Sequence, residues 1–162
     1  ELIVHPLPHG TVESDLKIDL SLFFAHYAAV RPWLLRTDQE QMWEQQGRFA
    51  PKQSKEEREA LDGLYECVNC GCCTFSCPSF WWNGDRFPGP NALLQRSRWI
   101  SDSRDDWKDQ YNRVSELNDG WRLNRCHTIG NCTKTCPKGL NPAHEILQLK
   151  AWAGQLAPGA QF

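Results

Sequence analysis

The spacing of the cysteines constrains this chain more than any other feature of its sequence. Cys67, Cys70, Cys73 and Cys77 are separated by two, two and three residues, and Pro78 follows the last of them. In two-cluster iron-sulfur proteins with this spacing, three thiolates in a tight coil bind one cluster and the fourth thiolate binds the other. The spacing therefore predicts iron-sulfur ligation.

A second group of cysteines repeats this spacing with one position missing. Cys126, Cys132 and Cys136 precede Pro137, and Ile129 stands where the complete spacing would place another cysteine. Isoleucine does not bind iron, and three thiolates are enough for a three-iron cluster. If each group gives its last cysteine to the other cluster, one 4Fe-4S and one 3Fe-4S cluster result. The predicted ligands are Cys67, Cys70, Cys73 and Cys136 for the 4Fe-4S cluster, and Cys77, Cys126 and Cys132 for the 3Fe-4S cluster.

A zinc site and disulfide bonds are the rival interpretations of these cysteines, and the sequence leaves both open. Zinc sites favour pairs of ligands that add up to four per metal, which fits a division into four and three poorly. Cysteines three positions apart are awkward to join as disulfides. Cys72 falls outside the ligand spacing, and we expect it to be a small buried thiol that packs near the cluster.

Composition and charge exclude two classes of function. The net charge is -2, with acidic and basic residues mixed along the chain, so the sequence shows no basic patch for a nucleic-acid partner. The apolar runs are shorter than the 18 to 20 or so residues that a membrane-spanning helix needs. We therefore do not expect the chain to cross a membrane by itself. We also find neither a glycine-rich dinucleotide motif nor an evident acid, base or nucleophile constellation, so substrate chemistry is expected in another chain.

The sequence predicts a mostly α fold with little strand. Residues 1–18 are expected to form an N-terminal strand, at residues 2–4, and a linker, and residues 19–162 a helical domain that binds both clusters. A helix capped by Asp19 is expected to run to about Val30 and to be largely buried, and residues 37–53 are expected to form a polar loop. Further helices are predicted at residues 55–62, after a capping box of Ser54 and Glu57, and at residues 90–102, 105–117 and 142–152.

The segments around the cysteines resemble the iron-sulfur subunits of succinate dehydrogenase, respiratory complex II, and less closely those of fumarate reductase. The resemblance is carried by residues 61–67, 76–86, 125–129 and 131–142. It implies an α-helical ferredoxin-like domain that passes electrons from a partner flavoprotein, which oxidises succinate, to ubiquinone at membrane anchor subunits. It also implies a place on the matrix side of the mitochondrial inner membrane.

The resemblance further implies a quinone pocket beside the three-iron cluster. The matching positions are Pro78, Ser79, Trp81, Trp82, His127 and Ile129. Trp82 is expected to donate its indole hydrogen near a quinone oxygen, and His127 to help supply protons, because imidazole titrates near neutral pH. The plainer interpretation of each is packing for the tryptophans and a backbone hydrogen bond for the histidine.

The sequence departs from this family before Cys67. Family members carry an N-terminal ferredoxin domain with cysteines for a 2Fe-2S cluster, and the chain has no cysteine in that region. We therefore expect a divided subunit, with the 2Fe-2S half as a separate protein whose sheet residues 2–4 complete as an edge strand. The alternatives are the corresponding subunit of a quinol-fumarate reductase and a zinc-stabilised, noncatalytic assembly module.

Overall fold

The computed structural model describes residues 2–36 and 51–155. Within them the fold is mostly helical, as predicted, with one two-stranded sheet. Strand β1 (Val12–Ser14) pairs antiparallel with β2 (Lys17–Ile18), with Val12 opposite Ile18. The helices are α1 (Ser21–Ala29), α2 (Lys55–Glu59), α3 (Cys72–Phe75), α4 (Pro78–Asn83), α5 (Gly89–Ser101), α6 (Trp107–Ser115), α7 (Asn131–Lys134) and α8 (Pro142–Gln155), with a 3-10 turn at Leu123–Arg125. In the described residues, the helices fall short of the length and apolar character needed to cross a membrane.

The sheet does not lie where a strand was expected. Residues 2–4 form neither helix nor strand in the isolated chain, and their side chains are exposed. The strands instead come from the polar stretch that follows, because the turn at Asp15, whose φ is 46°, lets Ile18 fold back and bury its side chain against the core. The expected pairing of residues 2–4 concerns a second protein and stays a prediction.

Helix α1 is less buried than its apolar sequence suggested. Asp19 accepts a hydrogen bond from the Ser21 backbone N–H at 2.8 Å, in line with the predicted start. Of its apolar side chains, however, only Phe23 is buried, whereas Leu22 and Phe24 are about half exposed. The prediction of a largely buried helix was wrong, because a single helix on the surface of a small core presents one face to it.

The other helices predicted inside the described residues are present, although α2 ends at Glu59, three residues before its predicted end. The capping box is present, with the Ser54 hydroxyl accepting from the Glu57 N–H at 3.2 Å and the Glu57 carboxylate accepting from the Ser54 N–H at 2.8 Å. Helices α5, α6 and α8 lie close to their predicted bounds. The predicted polar loop falls mostly on residues 37–50, outside the described residues.

Two apolar cores hold the helices together. The main core joins α1, α3, α4, α5, α6 and α8 and has Leu93, Ile146 and Leu149 fully buried at its centre. A smaller core consists of Leu64, Leu94 and Leu140. Leu93 and Leu94 point to different cores because they are successive residues of α5, so this helix separates the two.

Candidate iron-sulfur centres

The two cysteine groups fold in the same way, as their shared spacing suggested. Each passes through a left-handed glycine, Gly71 with φ of 79° and Gly130 with φ of 84°, into a four-residue helix, α3 or α7. Each helix is followed by a Cys-Pro pair. The residues before these pairs, Ser76 and Thr135, join the two units through a hydrogen bond of 3.0 Å between their hydroxyl oxygens.

Two cavities are each lined by cysteines from both groups, because each group contributes its last cysteine to the cavity of the other group. The first, here called the four-thiol cavity, contains three cysteines of the first group and the last cysteine of the second. Its cysteine lining is Cys67, Cys70, Cys73 and Cys136. This is the set that the crossed spacing predicted for the 4Fe-4S cluster. The smaller core borders the cavity, because Cys67 and Cys136 both pack against it.

The second cavity, here called the three-thiol cavity, contains Cys77, Cys126 and Cys132. This is the set predicted for the 3Fe-4S cluster. Ile129 lines the same cavity and is about half exposed. The side chain at the missing cysteine position therefore stands at the mouth of the cavity with three thiols. Cys77 and Cys126 also pack against the main core.

Burial differs among the thiols and changes their acidity. Burial raises the pKa of Cys73 to about 12 and raises the pKa of Cys77 and Cys132 as well. Cys70, in contrast, is exposed. Because metal ligation requires thiolates, loading these sites must release protons from the buried thiols.

Cys72 is more open than expected. It is half-buried at the start of α3, not fully buried, because it faces outward beside the exposed Cys70. Desolvation and the neighbouring Cys70 thiol both raise the pKa of Cys72. It is not among the residues that line either cavity.

Four of the six predicted quinone-pocket residues line the three-thiol cavity. They are Pro78, Ser79, His127 and Ile129. Trp81 lies outside its lining and donates its indole N–H to the Phe75 carbonyl at 2.5 Å. Trp82 also lies outside it and is 73% exposed.

Sequence reasoning missed two residues beside these sites. The His9 ring stacks on Trp81 with 4.0 Å between ring centroids and meets the edge of Trp82 at 6.1 Å. Asn91 lines the four-thiol cavity and donates a side-chain hydrogen bond to the Cys67 sulfur at 3.4 Å. Both contacts join distant parts of the chain, so local spacing gave no signal for them.

The donor sets of both cavities suit iron-sulfur clusters. Thiols are the ligands that such clusters use, and each cavity gathers them from both cysteine groups. Within residues 2–36 and 51–155, however, three or more Cys, His, Asp or Glu side chains do not converge closely enough to hold a single metal ion. The thiols of each set line a cavity.

Comparison with known protein families agrees with this geometry. Residues 66–141 match the family model of the 4Fe-4S dicluster domain. The matched stretch contains both cysteine groups and the whole lining of the three-thiol cavity. From the crossed cavities and this match over residues 66–141, we conclude that the chain is an iron-sulfur protein with a role in electron transfer.

Proposed function

We propose that this chain is an electron-transfer subunit of succinate:ubiquinone oxidoreductase. In this role it passes electrons through a 4Fe-4S cluster and a 3Fe-4S cluster to ubiquinone. The observation that carries the proposal is the division of the thiols, four in one cavity and three with an isoleucine in the other. A three-iron cluster is the expected occupant of the second cavity, because the fourth position of its cysteine spacing is the apolar Ile129.

The ligands proposed for each cluster are those that line its cavity. They are Cys67, Cys70, Cys73 and Cys136 for the 4Fe-4S cluster, and Cys77, Cys126 and Cys132 for the 3Fe-4S cluster. When bound, each cluster supplies a one-electron carrier whose potential depends on burial and on hydrogen bonds to sulfur.

The chain itself provides the insulation and the spacing of the two carriers. The buried Cys73 and Cys132 lie on the packed pair α3 and α7. The hydrogen bond between Ser76 and Thr135 joins the ends of the same two helices. The two cavities are thus held side by side, which is what an electron-transfer path requires.

The quinone is proposed to bind at the mouth of the three-thiol cavity. Ile129 and His127 are exposed there, beside Pro78 and Ser79. The exposed Trp82 is proposed to donate its indole hydrogen to a quinone oxygen, and His127 to supply protons. Trp81 contributes a ring face only, since its N–H already binds the Phe75 carbonyl.

The partners proposed are a separate protein with the 2Fe-2S cluster, a flavoprotein and membrane anchor subunits on the matrix side of the mitochondrial inner membrane. The exposed apolar side chains of residues 2–4 support a partner at the N-terminal end, because exposure of three successive apolar side chains to water is unfavourable. Mass spectrometry of the intact complex tests the divided subunit. A complex without a separate 2Fe-2S protein contradicts it.

Replacement of Ile129 by cysteine tests the assignment of the two clusters. In Ile129→Cys a fourth thiolate becomes available, so we expect a fourth iron to enter and the spin-resonance signal of the oxidised three-iron cluster to disappear. Ile129 is about half exposed, so the substitution leaves the cores intact. Total iron is expected to rise from about seven to about eight per chain.

Two further variants complete this experiment. Ile129→Ala removes the same side chain without adding a thiol, and we expect the three-iron signal to persist. Cys70→Ala, at the equivalent position of the first group, should convert the four-iron cluster to a three-iron form. An unchanged three-iron signal in Ile129→Cys, or native protein without iron, contradicts the proposed function.

A further inference from the structure

The Asn91 side chain is a buried amide directed at the four-thiol cavity. It is 2% exposed, and its Nδ2 lies 3.4 Å from the Cys67 sulfur and 3.0 Å from Asn69 Oδ1. An amide nitrogen carries two hydrogens, and both neighbours accept hydrogen bonds when Cys67 is a thiolate. The donors of Asn91 are therefore fully used, one of them on a sulfur predicted to bind iron.

The backbone around Asn91 holds this amide in place. Its N–H donates to the Thr74 hydroxyl at 3.2 Å, and Thr74 is completely buried on α3. Gly89 begins α5 with φ of 83°, and a Cβ there would come within 2.7 Å of Thr74. The first turn of α5 therefore packs directly on the helix that carries Cys73. Such close packing fixes the direction of the Asn91 side chain relative to the cavity.

We propose that Asn91 is a positioning residue that sets the reduction potential of the cluster bound by Cys67. The inference rests on the proposed function only in that Cys67 must be a cluster ligand. A hydrogen bond donated to a ligand sulfur withdraws charge from it and stabilises the reduced cluster, which carries one more negative charge. Asn91 therefore makes the four-iron cluster easier to reduce than its thiol ligands alone would.

Removal of the amide tests this directly. In Asn91→Leu, which keeps a side chain of similar size, and in Asn91→Ala, the sulfur loses its donor. At a fixed ambient potential we expect the ratio of reduced to oxidised four-iron cluster to fall about tenfold, which is about 59 mV for a one-electron couple. The potential is measured by redox titration of the spin-resonance signal of the reduced cluster in the iron-loaded chain.

A matched control comes from the next turn of the same helix. Gln95 is an equally buried amide, 3% exposed, and it is not among the residues that line the four-thiol cavity. Gln95→Leu should leave the potential unchanged, even if it lowers stability as much as Asn91→Leu does. Equal shifts of the reduction potential in Gln95→Leu and Asn91→Leu would mean that Asn91 acts only through packing, and would overturn the proposal.

A measurement on the unaltered chain keeps the test independent of any folding defect. The chain is produced with asparagine that carries 15N only at the side-chain amide, and the reduced cluster is studied by pulsed spin resonance. We expect a nitrogen coupling that Asn91→Ala abolishes. A loaded four-iron cluster without this coupling, or with an unshifted potential in both variants, overturns the role of Asn91 alone. A chain without any cluster overturns the proposed function instead.

Discussion

Arg113 and Asp105 form an ion pair that is completely enclosed by the fold. The Arg113 Nε lies 2.9 Å from Asp105 Oδ2, and both side chains are 0% exposed. Arg113 Nη2 also donates to Asp105 Oδ1 at 3.4 Å. The other three guanidinium hydrogens go to the backbone carbonyls of Val30, Arg31 and Trp33, at 3.2, 2.7 and 2.8 Å. One side chain of α6 thus fixes the segment that follows α1.

We expect Arg113→Met to be the most damaging charge-removing substitution in this network. It keeps the length of the side chain but removes the guanidinium from Asp105, whose other donor is the Leu35 N–H at 2.7 Å, and from the three carbonyls. Removal of one partner from such a pair costs about 3 to 5 kcal/mol of folding free energy. The measurement is chemical denaturation of the iron-loaded chain, followed by circular dichroism.

Arg58→Met is the control for this substitution. Arg58 also pairs with an aspartate, Asp62 at 3.0 Å, but both side chains reach solvent, with 43% of Arg58 and 61% of Asp62 exposed. Water screens such a pair, so its loss should leave the denaturation midpoint where it was. Equal midpoints for Arg58→Met and Arg113→Met would show that the buried network contributes little.

At the scale of single residues, the spacing predicted which thiols line the same cavity, and their binding of clusters stays a prediction. The crossed cysteine sets could be predicted because a fixed interval between thiols limits which of them share a cluster. His9 and Asn91 could not be found in this way. Their partners, Trp81 and Cys67, lie far from them along the chain, and only the packing of helices and the N-terminal segment brings each pair together.

Among the described glycines with positive φ, Gly89 at the start of α5 has the tightest surroundings, because Thr74 of α3 lies directly against it. A Cβ at Gly89 would come within 2.7 Å of Thr74 Cγ2. We expect Gly89→Ala to lose about 1 to 2 kcal/mol from the left-handed backbone and a further 1 to 3 kcal/mol from overpacking. Because α5 packs on α3, which carries Cys73, iron content of the four-iron site should fall as well.

Gly63 provides a matched control for this glycine. Its φ is 87°, close to that of Gly89, but a Cβ there meets none of the described atoms within 4 Å. Gly63→Ala therefore carries the backbone strain alone. We expect it to be less destabilised than Gly89→Ala, by chemical denaturation, and to keep its iron. The same loss in both variants would mean that backbone strain, not contact with Thr74, decides the outcome.

Local signals predicted where most helices begin but not how deeply they are buried. The capping box of Ser54 and Glu57 lies within four residues, so it is readable from sequence, and α2 begins where it indicates. The burial of α1 depends instead on how much core surface the rest of the fold offers. Phe23 packs against Phe75 of the main core, with ring centroids 6.2 Å apart, whereas the Phe24 side chain stays about half exposed.

For the whole molecule, the helical class was predictable and the N-terminal hairpin was not. Helical periodicity and caps occur in several segments of the chain, so an error in one predicted helix does not change the predicted fold class. The hairpin has strands of only three and two residues, and its side chains are mostly exposed. Such a short sheet leaves almost no alternating pattern, and its formation depends on Ile18 reaching the main core.

Removal of iron should divide the molecule into parts that stay folded and parts that do not. Helices α5 and α8 meet in the main core through fully buried Leu93, Ile146 and Leu149. Helix α7 has four residues with only Cys132 buried, so without a cluster it is held by a few hydrogen bonds, to Ser76 and Asn141, and by little apolar packing. Helices this short do not persist on their own. Chelation of iron should therefore expose α7 before the long helices.

Hydrogen exchange with and without iron measures this division. Amides of α5 and α8 should remain protected after chelation, whereas those of α7 and of residues 126–130 should exchange at rates of an open chain. Helix α3 should fall between them, because Phe75 anchors it in the main core. If all helices lost protection together, the clusters would be part of the folding core itself. If α7 stayed protected, its fold would not need the metal, and the three-thiol cavity would be formed in advance of its cluster.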